Sequence, residues 1–355
     1  MSTKPQQERS LGTPEVSIRK VAELAGVSIA TVSRCLNEPD RVREKTRLKV
    51  QEAIVATGYA PNTLARNFRR GRTNLIMVVL PSVGDPFFTG VLEGIRRVVT
   101  QRGYTLIISE TSASTLSADE MGAMLVSRQA DGFILLASNF PFGEGAGPVP
   151  SRGAQPIVIG CETMSASLSD VPSVHIDNVQ AAHDATDYLL AQGHRRIAFM
   201  TGQVDSRLTR DRERGYRQAM EAASQSVAAD WVVEGGLSLE GAARATRLLL
   251  EHPLRPTAIF CANDEMAMGC LQALKAARIE VPAAISVMGF DDIRYAAVCN
   301  PALTTVAQPT ELIGERVAQR MLDAIDGHAG EGSGSEVVPH RLVIRESVSK
   351  PPSGD

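Results

Sequence analysis

The stretch Ser17–Asn37 reads SIRKVAELAGVSIATVSRCLN. Ile18, Val21, Ala22 and Ala25 fall at helical spacing, Gly26 interrupts, and Ile29, Val32, Cys35 and Leu36 resume the same spacing. Gly26 permits a tight turn that a Cβ would oppose, and Ser28 is placed to cap the second helix. Ala22 is small where two helices would cross, and Val32 packs the second helix back on the first. Two short helices crossed over a glycine turn form a helix-turn-helix. Its second helix shows Ser28, Ile29, Ala30, Thr31, Ser33 and Arg34 on or near the outer face. Short side chains with one fork-shaped donor suit close approach to base edges and phosphates. The same pattern also fits a plain helical hairpin with a solvated face, so the charge around it matters.

Between Glu15 and Thr73 there are 12 Lys and Arg against 6 Asp and Glu; the remainder holds 25 against 34, within totals of 37 and 40. A basic module on an acidic body implies that the module alone meets a polyanion. The five cysteines are widely spaced, with no CxxC, and read as buried thiols of a cytosolic protein. No apolar run is long enough to span a membrane. The polar N-terminus MSTKPQQERSLGTPE has no signal-peptide core and reads as a tail. The expected location is the cytoplasm.

The stretch APNTLARNFRRGRT, residues 60–73, reads as a linker with one short helix. From Asn74 onward, short apolar runs alternate with helical patterns. The runs are LIMVVL (75–80), TLIIS (105–109), GFILLA (132–137), PIVIG (156–160), IAFMT (197–201), TAIFC (257–261) and ISVMGF (285–290). Helices are expected over Phe88–Arg102, Val179–Gln192 and Glu265–Ala277, among others. Continuous apolar strands separated by helices are the mark of parallel sheets covered on both faces, and the length calls for two α/β subdomains. EGSGSE, after Gly330, reads as a flexible link, and RLVIRESV (341–348) as one more strand.

IRKVAELAGVSIATVSRCLN, VREKTRLKV, TGYAPNTLAR, PTAIFCANDEMAMG, ISVMGFDDI and PALTTVAQP, in this order, resemble the LacI/GalR family of bacterial transcription regulators. The resemblance runs from about Val16 to Val348. DPFF (85–88), NFPF (139–142) and VHIDN (174–178) resemble the cytidine-responsive, nucleoside-binding branch of that family. The implied fold is an N-terminal all-α helix-turn-helix DNA-binding domain plus an α/β, periplasmic-binding-protein-like effector domain of two parallel-sheet subdomains. The expected divisions are a tail over 1–14, the DNA-binding domain over 15–60, a hinge over 61–73, the effector-binding and dimerisation domain over 74–348, and a tail over 349–355.

The resemblance also implies roles. The chain would act as a homodimeric repressor on a pseudo-palindromic double-stranded DNA operator, under control of a small-molecule effector, with no metal or other cofactor. Arg34 is the expected guanine reader, Ile29 and Ala30 lie against bases, and Ser28, Thr31 and Ser33 contact phosphates. Asn62 and Arg66 join them from the hinge, with Arg69, Arg70 and Arg72 adding attraction. Phe68 stands where relatives wedge a leucine into the minor groove. In the effector cleft, Asp85, Phe87 and Phe88 match the place of stacking aromatics, Arg212 a ligand-clamping arginine, and Asn263 and Asp291 polar contacts. Asp264 is an alternative helix cap. Two departures stand out. Cys161, with Glu162 beside it, occupies a position that is Asp in many members, and a cleft aromatic of relatives falls on Gly236 or Leu237.

No HExxH, GxxxxGK[ST] or GxSxG occurs, and the six histidines show no metal spacing. The expectation is a regulator rather than an enzyme, with a nucleoside such as cytidine as effector. The alternatives are a sugar-responsive repressor and, further off, a bilobed solute-binding protein.

Overall fold

The structure, a computed structural model, describes residues 17–59, 72–111, 129–136, 155–162, 171–203, 206–328 and 334–352. The chain forms two compact units, Met1–Arg72 and Thr73–Asp355.

In the first unit, α1 spans Ile18–Ala25, α2 Ile29–Asn37 and α3 Glu44–Thr57. Gly26 ends α1 at φ 64°, and Val27 N–H donates to Ala22 O at 3.1 Å. This is the left-handed C-terminal motif that glycine favours. Ser28 Oγ accepts from Thr31 N–H at 3.1 Å and so caps α2. Val21, Ala22 and Ala25 of α1, Val32 and Cys35 of α2, and Val50 and Ala53 of α3 form one small core.

The second unit holds two six-stranded sheets. Sheet A comprises β1 (Leu75–Leu80), β2 (Thr105–Glu110), β3 (Gly132–Leu135), β4 (Ile157–Gly160), β5 (Ser173–His175) and β11 (Ser335–Val337). Its order is β11-β5-β4-β3-β1-β2, parallel throughout. Sheet B comprises β6 (Ile197–Thr201), β7 (Val232–Glu234), β8 (Ala258–Cys261), β9 (Ser286–Asp291), β10 (Thr304–Ala307) and β12 (Arg341–Val343). Its order is β12-β10-β9-β8-β6-β7, with β12 antiparallel to β10 and the rest parallel.

Both faces of sheet A are covered, which is why β1 reads as an unbroken apolar run. Ile76, Val78 and Leu80 face one core and Met77 and Val79 another. Helix α4 (Phe87–Gln101) and helix α9 (Thr310–Ile325) pack together on the first face. Their backbones touch, since a Cβ on Gly94 would strike Glu311 O and one on Gly314 would strike Val91 O. Around sheet B lie α5 (Asn178–Ala191), α6 (Arg207–Ala222), α7 (Leu239–Glu251) and α8 (Asp264–Ala276). A Cβ on Gly215 would strike Val179 O, so that glycine sets the closeness of α5 and α6.

The chain passes between the sheets three times: after β5, after β10 and after β11. Each lobe is therefore assembled from separated stretches of sequence. Two details differ from the sequence reading. Part of EGSGSE is a strand, β11, because its backbone pairs with β5 in spite of its polar side chains. The last strand stops at Val343 rather than Val348, and beyond it Arg345 and Ser347 turn their hydrogen bonds to Thr304 and Val287.

Candidate functional site

On the first unit, Ser28, Ile29, Ala30 and Arg34 are exposed and Thr31 and Ser33 half-buried. Ser28 and Thr31 engage each other, Oγ to Oγ1 at 2.9 Å, so their hydroxyls are oriented by the cap. The surface around them is basic. Lys20, Arg41 and Arg47 pair with Glu23, Glu38 and Glu44, whereas Arg19, Arg34, Arg43, Lys45 and Lys49 form no ion pair among the described residues. Asn62, Arg66, Phe68, Arg69 and Arg70 lie outside the described residues, as does the NFPF stretch.

In the second unit, the C-terminal ends of strands from both sheets contribute to one polar cluster. Arg212, on α6, is buried at 2% exposure. Its Nε donates to Asn178 Oδ1 at 2.9 Å, its Nη1 to Ala262 O, and its Nη2 lies 3.4 Å from Asp291 Oδ1. The guanidinium stacks 3.7 Å from the centre of the Phe290 ring. Asp291 ends β9 at φ 114° and accepts from Gln308 Nε2 at 2.8 Å. Gln308 is the residue at which the chain leaves β10 for α9, so this bond ties the cluster to a crossover.

Carboxylates crowd this single cation. Burial drives Arg212 down from the ordinary arginine value, and Asp291, Glu162 and Asp264 hold it up. Burial raises the Asp291 carboxyl to about 7; Arg212 and Gln308 oppose the rise and Asp85 adds to it. Asp85, in the turn between β1 and α4, is itself raised by burial, against the pull of the Phe87 N–H and Arg212. Burial also drives the Cys161 thiol well up, with Glu162, Asp291 and Asp85 adding to it. Cys161 follows β4 in a left-handed conformation, φ 70°. Electrostatic coupling of Asp85 and Cys161 to Arg212 and Asp291 links the strand ends of the two sheets.

The raised Asp291 carboxyl carries a pH dependence. In the unfolded chain an aspartate ionises near about 3.9. The native state binds the extra proton between that value and about 7, so stability falls as pH rises through this window. Asp291→Asn removes the titration. Its melting temperature is expected to exceed that of the parent at about pH 8, by the equivalent of at most about 4 kcal/mol, and to meet it near pH 4. A gap independent of pH in thermal melts would refute this.

The aromatic pair divides. Phe88 is buried in the sheet A core, and Phe87 is half-buried at the start of α4, edge-on to Phe88 at 5.2 Å. Only Phe87 is left as a stacking surface, because α4 turns the next side chain inward. Asp85 Oδ1 accepts from Phe87 N–H at 2.9 Å and so helps start that helix. The capping role expected of Asp264 belongs to Asn263, whose Oδ1 accepts from Met266 N–H at 2.9 Å. Asn263 then has its amide NH2 to offer a ligand. Asp264 is fully buried between Thr305 Oγ1 at 2.6 Å and Ile293 N–H at 2.8 Å. Gly236 and Leu237 both have positive φ, and Leu237 packs against Gly202. Asn178, Phe290 and Gln308 belong to the cluster but were not singled out from sequence; each lies inside a motif quoted above, VHIDN, ISVMGFDDI or PALTTVAQP. Among the described residues no group of three or more His, Cys, Asp or Glu is placed to hold a metal ion.

A helix-turn-helix with unpaired cations, joined in one chain to a two-sheet body with a polar cluster at its strand ends, defines a ligand-responsive regulator. Residues 17–62 match the model for bacterial regulatory proteins of the lacI family, and residues 186–348 that for a periplasmic binding protein-like domain. The chain is 36% identical over 332 residues to the HTH-type transcriptional repressor CytR of Escherichia coli strain K12, covering 94% of this chain and 96% of that protein. It is also 36% identical over 303 residues to the ribose operon repressor of the same strain, covering 84% and 90%. The structure of the lac repressor dimer bound to operator and the anti-inducer ONPF superposes with a TM-score of 0.80 at 26% identity, covering 94% of this chain and 99% of that one. The chain belongs to the LacI family of DNA-binding transcriptional repressors.

Proposed function

We propose that the protein is a cytoplasmic, homodimeric repressor that binds a pseudo-palindromic operator and releases it when a nucleoside such as cytidine enters the cleft. The carrying observation is the buried Arg212–Asp291 pair, at 3.4 Å, ringed by Asp85, Glu162 and Asp264. The one guanidinium is already engaged by Asn178, Ala262 and Asp291, and the raised carboxyls around it suit a neutral ligand rich in hydroxyl groups better than a phosphate. Phe87 offers an aromatic edge or face to a planar base. CytR, similar along nearly the whole chain, supports the nucleoside; the equal identity to the ribose operon repressor supports a sugar as second reading. The protein regulates rather than catalyses. No described helix is long and apolar enough to cross a membrane.

An effector shifts operator binding only by its differential affinity for two states, typically about 1–3 kcal/mol. The test is an operator-binding titration of the full chain with cytidine, uridine, adenosine and ribose. Release by cytidine at the lowest concentration supports the reading; release by ribose alone replaces it with the sugar reading.

At the operator, Arg34 reads a guanine and Phe68 wedges into the minor groove. Residues 15–60 bind DNA, 61–73 form the hinge and 74–348 bind effector and dimerise. Arg34→Ala is expected to cost about 1–3 kcal/mol of operator affinity, confined to one base pair per half-site. A loss spread evenly over unrelated sequences, in competition assays, would make Arg34 a phosphate contact.

A further inference from the structure

At the N-terminal edge of sheet B, the end away from Asp291, three loops bring arginines together. Arg196 precedes β6, Arg255 precedes β8 and Arg278 follows α8. They line one open hollow of about 510 Å³; among its described lining residues Glu280 is the one carboxylate, and Ile279, Ala283 and Ala284 give apolar surface. A neighbouring hollow of about 730 Å³ shares Arg196 and Arg255. Arg255 and Arg278 are exposed and form no ion pair among the described residues.

Arginines near helix C-termini can simply satisfy terminal carbonyls. That accounts for part of Arg255, whose Nε donates to Leu250 O at 3.0 Å, leaving its Nη groups for another acceptor. It does not account for Arg278, whose side chain donates to no carbonyl among the described residues. Arg278 ends α8 at φ 59°, with its N–H on Lys275 O at 3.0 Å and Ile279 N–H on Leu274 O at 2.9 Å. Glycine is the default at this left-handed position, so local structure opposes an arginine there.

We propose that this hollow binds a phosphate ester, with the phosphoryl group held between Arg255 and Arg278 and its organic part over Ile279, Ala283 and Ala284. A phosphoryl dianion has three terminal oxygens to share between two guanidinium forks, whereas one carboxylate is satisfied by a single fork. The volume lies in the range of small-molecule sites, roughly 300–1,000 Å³, larger than a bare phosphate ion needs. Arg212, by contrast, is buried and already engaged by Asn178, Ala262 and Asp291, so the two sites take different chemistry.

Isothermal titration of the full chain with phenyl phosphate, inorganic phosphate and benzyl alcohol tests this. Phenyl phosphate is expected to bind more tightly than phosphate, less tightly in high salt, and benzyl alcohol not at all. Arg278→Gly and Arg255→Ser are each expected to weaken phenyl phosphate at least about tenfold. Arg278→Gly should melt no lower than the parent, since glycine suits φ 59°, which separates lost binding from lost folding. Undiminished binding to Arg278→Gly, binding of benzyl alcohol equal to that of the ester, or no binding of phenyl phosphate would each overturn the proposal.

Discussion

A chain beginning at Asn74 is expected to lose operator-specific binding by at least about 10³-fold, the usual margin of specific over non-specific affinity, while binding effector as the full chain does. The body beyond Thr73 carries 23 Lys and Arg against 33 Asp and Glu. Phosphate contacts supply most of the affinity of such proteins for DNA, and an acidic surface repels the duplex. Five cations of the first unit, Arg19, Arg34, Arg43, Lys45 and Lys49, form no ion pair among the described residues and are left to meet phosphates. The cluster of Arg212, Asn178, Asp291 and Gln308 lies wholly in the second. Mobility-shift assays on the operator, with calorimetry for the effector, check both halves. Retained operator specificity in the shortened chain would sink the assignment of reading to α2.

Arg212→Ala is expected to destabilise the body by about 3–5 kcal/mol, the cost of leaving a buried ionic partner uncompensated, and to abolish effector binding. The side chain holds three groups at once: Asn178 Oδ1, Ala262 O and Asp291. Removing it leaves Asp291, Asp264 and Glu162 facing one another in a buried space. A lower pH protonates Asp291, whose carboxyl is raised to about 7, so the deficit in thermal melts should shrink between about pH 8 and pH 5. The sequence alone suggests a variant that fails to respond yet is otherwise intact; the burial of Arg212 makes a stability loss the first effect. A melting temperature unchanged from the parent would show that the guanidinium is not the keystone of the cluster.

Much of the architecture is legible in the amino-acid sequence. Helices expected over Phe88–Arg102, Val179–Gln192 and Glu265–Ala277 occur one residue earlier, over 87–101, 178–191 and 264–276. The missing residue is in each case the first of the helix, placed by its N-terminal neighbour rather than by apolar spacing. The seven continuous apolar runs all form strands, but β5, β7, β10 and β11 carry no such run. These are three or four residues long, and β10 reads TTVA, so pairing with neighbours rather than local pattern makes them strands. The cluster was legible where the family resemblance names the residue itself, as with Arg212 on α6 and Asp291 at the end of β9. It was not legible where a residue gains its contact only through the crossovers, as with Gln308 on Asp291, or where two adjacent polar residues exchange roles, as with Asn263 and Asp264.

The three passages between the sheets bear on how the protein is made. Sheet A begins first, at Leu75, yet the helix that covers it, α9, starts at Thr310, and its edge strand β11 at Ser335. On the ribosome, β1, β3 and β4 emerge long before Val317 and Met321, which close over Gly160 and Gly132. During that interval a broad apolar face stays open while most of sheet B is being synthesised. Non-local pairing of this kind slows folding and exposes nascent chains to aggregation. The lobe that is started first is completed last, so a chain stalled before Thr310 would display the uncovered face of sheet A to chaperones, with neither lobe able to stand as a finished domain.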